Sequence, residues 1–235
     1  MGRHFEVRAA AMAASAKAKS AIYMRASKEI YAAAKSGEPD PASNLALRAA
    51  IEKYRRQCPK DVIDRAIEKA KGGDAVAYIP GRYEFMGPAG SNIIVDTLTD
   101  NVNRALVTVR TIVSKKGGKM ASVAYSFEHR GVLNFKGPGR DEVEEALVFG
   151  DVDVASVTID DSGELEVLVN PSDLEKAKAV LKDLGVEDYD RSETMMYPNE
   201  WITVEGEDLQ KLKDMMEALD EAEDVQAVYT NVENL

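Results

Sequence analysis

A chain of 235 residues, 45% hydrophobic and 30% charged, can bury a substantial core and is too apolar to be disordered. Its lone cysteine, Cys58, excludes an intrachain disulfide and a paired-cysteine site, and two distant histidines, His4 and His129, do not suggest zinc. The formal charge of −11 argues against a polyanion target, yet residues 1–72 carry 15 Lys/Arg against 8 Asp/Glu, net +7, and residues 73–235 carry 15 against 33, net −18.

Charges more than about 8 Å apart are largely screened at physiological salt, so a basic head can meet a polyanion despite distant acid. No apolar run reaches the roughly 18–20 residues that span a bilayer. The alanine-rich start is interrupted by Lys17 and Lys19 and does not read as a signal peptide. A reducing cytoplasm is expected.

The first 72 residues read as helical. Ile22, Tyr23 and Ile30 share one face of the first helix, with Lys17, Lys28 and Lys35 opposite. SGEPDP (Ser36–Pro41) breaks it. Ser43 is expected to cap a second helix running to about Gln57, anchored by Leu45, Ile51 and Tyr54. Pro59 suits the first turn of a third helix, whose stripe is Val62, Ile63, Ala66, Ile67 and Ala70 and which Gly72-Gly73 ends.

RYEFMGPAGS then reads as strand and turn, NIIVDTLT as a strand, Asn103–Lys116 as a helix ended by KKGGK, and SVAYSFEH as another strand. Residues 131–198 follow the order βαββαβ, with a hairpin turn at Asp161-Ser162-Gly163. WITVEG, a helix from Asp208 and VQAVYTNV close the chain as βαβ. The expected class is α+β: an N-terminal helical domain plus two α/β domains, at least one ferredoxin-like. The tail completes the sheet of the middle block, giving domains 1–78, 79–130 with 199–235, and an inserted 131–198. The alternative is two domains in series.

Lysines and arginines on helix faces neutralise phosphates. The head candidates are Arg3, Arg8, Lys17, Lys28, Lys35, Arg55, Arg56, Lys60 and Arg65; the competing account is a solvated surface of pairs such as Asp61–Arg65. In LTDNVNR, Asn101, Asn103 and Arg104 stand at a strand-to-helix junction suited to an anion, or only cap the helix. Lys115, Lys116 and Lys119 surround two glycines, without the P-loop pattern. No acid–base pair or nucleophile can be assembled by spacing, so no enzyme, cofactor, metal or small-molecule substrate is expected.

Several stretches together resemble the YebC/PmpR family, which includes the mitochondrial translational activator of cytochrome c oxidase subunit one, and its YeeN-like branch most. They are KEIYAAAKSGEPDPASN, PKDVIDRAIEKAKGG, GRYEFMGPAGS, TLTDNVNR, VRTIVSKKGG, SVAYSF and DVQAVYTNVENL, in order along the whole chain. The resemblance implies three domains and a non-enzymatic, DNA-binding regulator of transcription. Its alternative is a ribosome- or mRNA-associated translation factor that relieves stalling at proline runs, or a module docking protein through its acidic domains. Two departures stand out. Alanines in FEVRAAAMAASAKAK replace part of the family's basic run, and Lys119 stands where asparagine is usual, in a loop about two residues short.

Overall fold

The computed structural model describes residues 3–72 and 76–235, with side chains from residue 18 onward. Residues 1–123 with 201–235 form one compact unit and residues 124–200 another.

The first unit opens with three helices: α1 (Arg3–Lys35), α2 (Leu45–Tyr54) and α3 (Lys60–Lys71). Ile30, Tyr31, Leu47, Tyr54, Ile63 and Ala66 are among the residues of their shared core. The cap of α2 is Asn44 rather than Ser43. Asn44 Oδ1 accepts from Leu47 N at 2.9 Å, and its Nδ2 donates to Ala33 O and Glu38 O, both at 2.9 Å. One buried amide thus ties helix start, breaker loop and α1 together, which a hydroxyl one residue earlier does not do. Asn44→Ala is expected to cost about 1.5 kcal/mol, read as a lower urea midpoint. Leu45, expected as an anchor, is 66% exposed; Tyr54, also expected, is buried, together with Leu47 and Ala50.

The same unit then builds a sheet of order β3-β1-β2-β8 from β1 (Ile79–Met86), β2 (Asn92–Thr99), the two-residue β3 (Lys119–Met120) and β8 (Val225–Thr230). Helices α4 (Val102–Lys115) and α7 (Gly206–Asp220) bury Val109, Val113, Leu212, Met215 and Leu219 against Phe85, Ile93 and Val95. Between β1 and β2 the chain needs glycine at position 87, where a Cβ would come within 2.5 Å of Ser91 Oγ and 2.8 Å of Ile93 Cδ1. WITVEG does not form a strand; Ile202 makes an isolated parallel bridge to Val232, and Glu205 leads directly into α7.

The second unit pairs β4 (Phe127–Lys136), β5 (Val154–Ile159), β6 (Glu164–Val169) and β7 (Arg191–Pro198), all antiparallel, in the order β5-β6-β4-β7. With α5 (Arg140–Phe149) and α6 (Leu174–Asp183) between them in the chain, this is the ferredoxin-like βαββαβ arrangement. Val143, Leu147, Ala177 and Leu181 from the helices close on Leu133, Phe135, Leu165 and Val167. SVAYSFEH and VLNF are not two strands. Ala124–Ser126 is a 3-10 turn, and the ladder to β7 runs unbroken from Phe127↔Pro198 to Asn134↔Arg191.

Candidate nucleic-acid interface

Three of the head candidates are held by neighbours on their own helix. Arg55 lies 3.2 Å from Glu52, Lys60 3.9 Å from Asp64 and Arg65 2.7 Å from Asp61. Lys35 donates to Gly72 O at 3.1 Å, and Arg56 is exposed. The side chains of Arg3, Arg8 and Lys17 lie outside the described residues. These arrangements match a solvated helix surface, whose exposed pairs each contribute only about 0–1 kcal/mol and can exchange a carboxylate for another anion.

Lys28 requires a correction. The helical wheel places it on the solvated face, but it is 8% exposed and donates to Asp224 Oδ1 at 3.1 Å and to Glu223 O at 2.9 Å. Arg104 meets the same carboxylate from α4, with Nε 2.9 Å from Oδ2 and Nη2 2.8 Å from Oδ1, and also reaches Asp100 at 2.7 Å. Asp224, only 5% exposed, therefore joins α1 to α4 through two cations. Burial pushes its carboxyl up, but hydrogen bonds from Arg104, Lys28 and Thr99 outweigh this and hold it below the ordinary range. The guanidinium of Arg104 is raised in turn, chiefly by its hydrogen bond to Asp224. Asn101 is the N-cap of α4, its Oδ1 accepting from Arg104 N at 3.0 Å. In LTDNVNR the capping account therefore describes Asn101, while Arg104 is engaged by Asp224 and Asp100 rather than open to an anion.

Lys116 is paired with Asp214 at 2.9 Å. Lys115 and Lys119 are exposed and, with Arg110, have no side-chain partner among the described residues. Among the described residues only six cations make no ion pair, hydrogen bond or ring contact: Lys19, Arg110, Lys115, Lys119, Lys182 and Lys213. Three of the six belong to α4 and the strand that follows it. Asn103, Val107, Arg110 and Ser114 fall at i, i+4, i+7 and i+11, one stripe of the helix. Val107, Arg110, Thr111, Ser114 and Lys115 line an open depression of about 500 Å³.

The far end of this stripe is fixed by local chemistry. Gly117 takes φ +88°, Gly117 N donates to Ser114 O at 3.2 Å and Gly118 N to Val113 O at 3.0 Å, a Schellman closure of α4. A Cβ at Gly118 would lie 2.4 Å from Val113 Cγ1. The two glycines thus turn the chain sharply and present Lys119 close after Lys115.

Sequence inspection missed Arg110, although the signal was available. Arg110 and Lys115 have no acidic residue at i±3 or i±4, whereas Arg55 and Lys60 each have one and Arg65 has two. Among the described residues no group of three or more His, Cys, Asp or Glu could hold a metal ion, and Cys58 is buried with its thiol pushed up by desolvation.

Residues 3–73 match the family domain described as the TACO1/YebC protein N-terminal domain, and residues 78–232 its second and third domain. The chain is 44% identical to the probable transcriptional regulatory protein YeeN of Escherichia coli K12, over the whole of both chains. It is 43% identical, again over both whole chains, to the probable transcriptional regulatory protein YcdB of Lactococcus lactis. A crystal structure of the conserved hypothetical protein Aq1575 from Aquifex aeolicus superposes with a TM-score of 0.76 at 27% identity, covering 91% of this chain and 90% of that one.

Proposed function

The chain belongs to the TACO1/YebC family, and on that premise we propose that it is a non-enzymatic regulator of gene expression that binds nucleic acid through the outward face of α4 and the adjoining β3. The observation that carries this reading is the concentration of partner-free cations there. Arg110, Lys115 and Lys119 are exposed, next to the hydroxyls of Thr111 and Ser114 and the amide of Asn103. Cations without a protein carboxylate can neutralise phosphates and release counterions without first breaking an ion pair. The exposed head cations Arg55, Lys60 and Arg65, which must exchange a partner, act as a secondary surface. The names of the relatives, probable transcriptional regulatory proteins, support the regulatory role.

The test is the salt dependence of binding. With about three phosphate contacts, affinity for a fluorescent oligonucleotide is expected to fall about 20- to 40-fold between roughly 50 and 200 mM salt, the smaller figure for a single strand. Binding that is indifferent to salt contradicts the reading. A single-stranded RNA, a single-stranded DNA and a duplex measured in parallel identify the class of target. Ribosome association is the second reading, and sedimentation of the chain with ribosomes from cell extract distinguishes it.

A further inference from the structure

Helix α5 is amphipathic as far as its core face goes: Val143 and Leu147 are buried. Its solvent face is unusual. Phe149 is 82% exposed and Val148 63% exposed, side by side on the last turn and contributing nothing to the core. One and two turns earlier on the same side stand Glu145 and Glu142, at i−4 and i−7 from Phe149, both exposed and without any partner among the described residues. No basic residue of α5 itself occupies its last turn; the one cation at that end is Lys176 of α6, which is already engaged by Asp151.

The surrounding unit makes the field stronger. Residues 124–200 hold 19 Asp/Glu against 7 Lys/Arg. Six of the seven cations are already engaged by neighbours; Lys182 alone among them has no partner. An aromatic ring presented to solvent beside free carboxylates and a helix C-terminus suits one chemistry. A guanidinium can stack on the ring while its hydrogens reach carboxylates, and an apolar neighbour can pack on Val148.

We propose that the C-terminal turn of α5 is a docking surface for an arginine-bearing, basic protein segment, with Phe149 as the anchor and Glu142 and Glu145 as its charge partners. This surface belongs to the second unit, and the proposal does not rest on the nucleic-acid reading.

A capped peptide of about eight residues alternating arginine and leucine is the probe, titrated by fluorescence anisotropy against the full chain. Phe149→Ala, at an exposed position, is expected to leave the circular dichroism unchanged and to weaken binding about tenfold. Glu142→Gln with Glu145→Gln is expected to do the same. Asp183→Asn with Glu187→Gln removes two exposed carboxylates elsewhere in the unit and is expected to change affinity less than twofold. Replacing arginine by lysine in the peptide is expected to weaken binding severalfold. The proposal is overturned if the wild-type chain does not bind the peptide, if Phe149→Ala binds within twofold of wild type, or if the control pair loses as much as Glu142/Glu145. A dimer in sedimentation that Phe149→Ala dissolves would also overturn it, by showing that a second copy covers this turn.

Discussion

Asp224→Ala is expected to destabilise the first unit by about 3 kcal/mol. The substitution removes the one carboxylate shared by Lys28 and Arg104 and leaves the Lys28 ammonium, on a residue only 8% exposed, with the exposed Glu223 and the ring of Tyr78. Breaking a buried pair from one side costs more than the pair itself contributes, because the remaining cations stay partly desolvated while losing the best-buried of their partners. Trp201 is the sole tryptophan and belongs to the same unit, so its fluorescence during urea unfolding reads the effect directly. Asp100→Ala removes the exposed partner of Arg104 and is expected to cost less than about 0.5 kcal/mol. Equal losses from the two variants would contradict the account of Asp224. The pH dependence has a definite sign. Because the folded carboxyl sits below its unfolded value, its contribution is complete above the ordinary aspartate range and disappears as pH falls through the folded value. Wild type is therefore expected to lose stability in acid more steeply than Asp224→Asn.

Arg110→Glu, Lys115→Glu and Lys119→Glu combined are expected to weaken nucleic-acid binding about 100-fold or more at moderate salt. Three phosphate contacts become repulsive, and none of the three side chains makes an ion pair, hydrogen bond or ring contact among the described residues, so folding is expected to be unaffected. The reading from sequence alone places the same effect on Arg55, Arg56 and Lys60. In the structure Arg55 and Lys60 already have Glu52 and Asp64 as neighbours, so reversing that trio is expected to cost only about tenfold. Filter binding of both trios at one salt concentration separates the two accounts. A larger loss from the head trio would return the interface to the helical domain.

The fold class was legible because the periodic signals are local. The Val62–Ala70 stripe marks α3, the β-branched run NIIVDTLT is β2, and Asp161-Ser162-Gly163 turns between β5 and β6 with Asp160 N donating to Glu164 O at 2.9 Å. The errors share a cause in tertiary structure. Lys28 looks solvated on a wheel because Asp224 is 196 positions away. SVAYSFEH and VLNF look like two strands around His129-Arg130-Gly131, and only pairing with β7 makes them one. WITVEG has strand composition but a single bridge to Val232. For the candidate interface, residue type was visible and availability was not. A lysine that can reach phosphate and one bound to a carboxylate look identical in sequence until helical neighbours are considered, and even those do not reveal the Lys116–Asp214 pair.

The central claim is that the binding face is α4 with β3 rather than the basic head. Ultraviolet crosslinking of a bound oligonucleotide, followed by peptide mapping of the full chain, addresses it most directly. Crosslinks concentrated in residues 102–120 are the expected result. Crosslinks confined to residues 45–71, or to the acidic unit at 124–200, would contradict it.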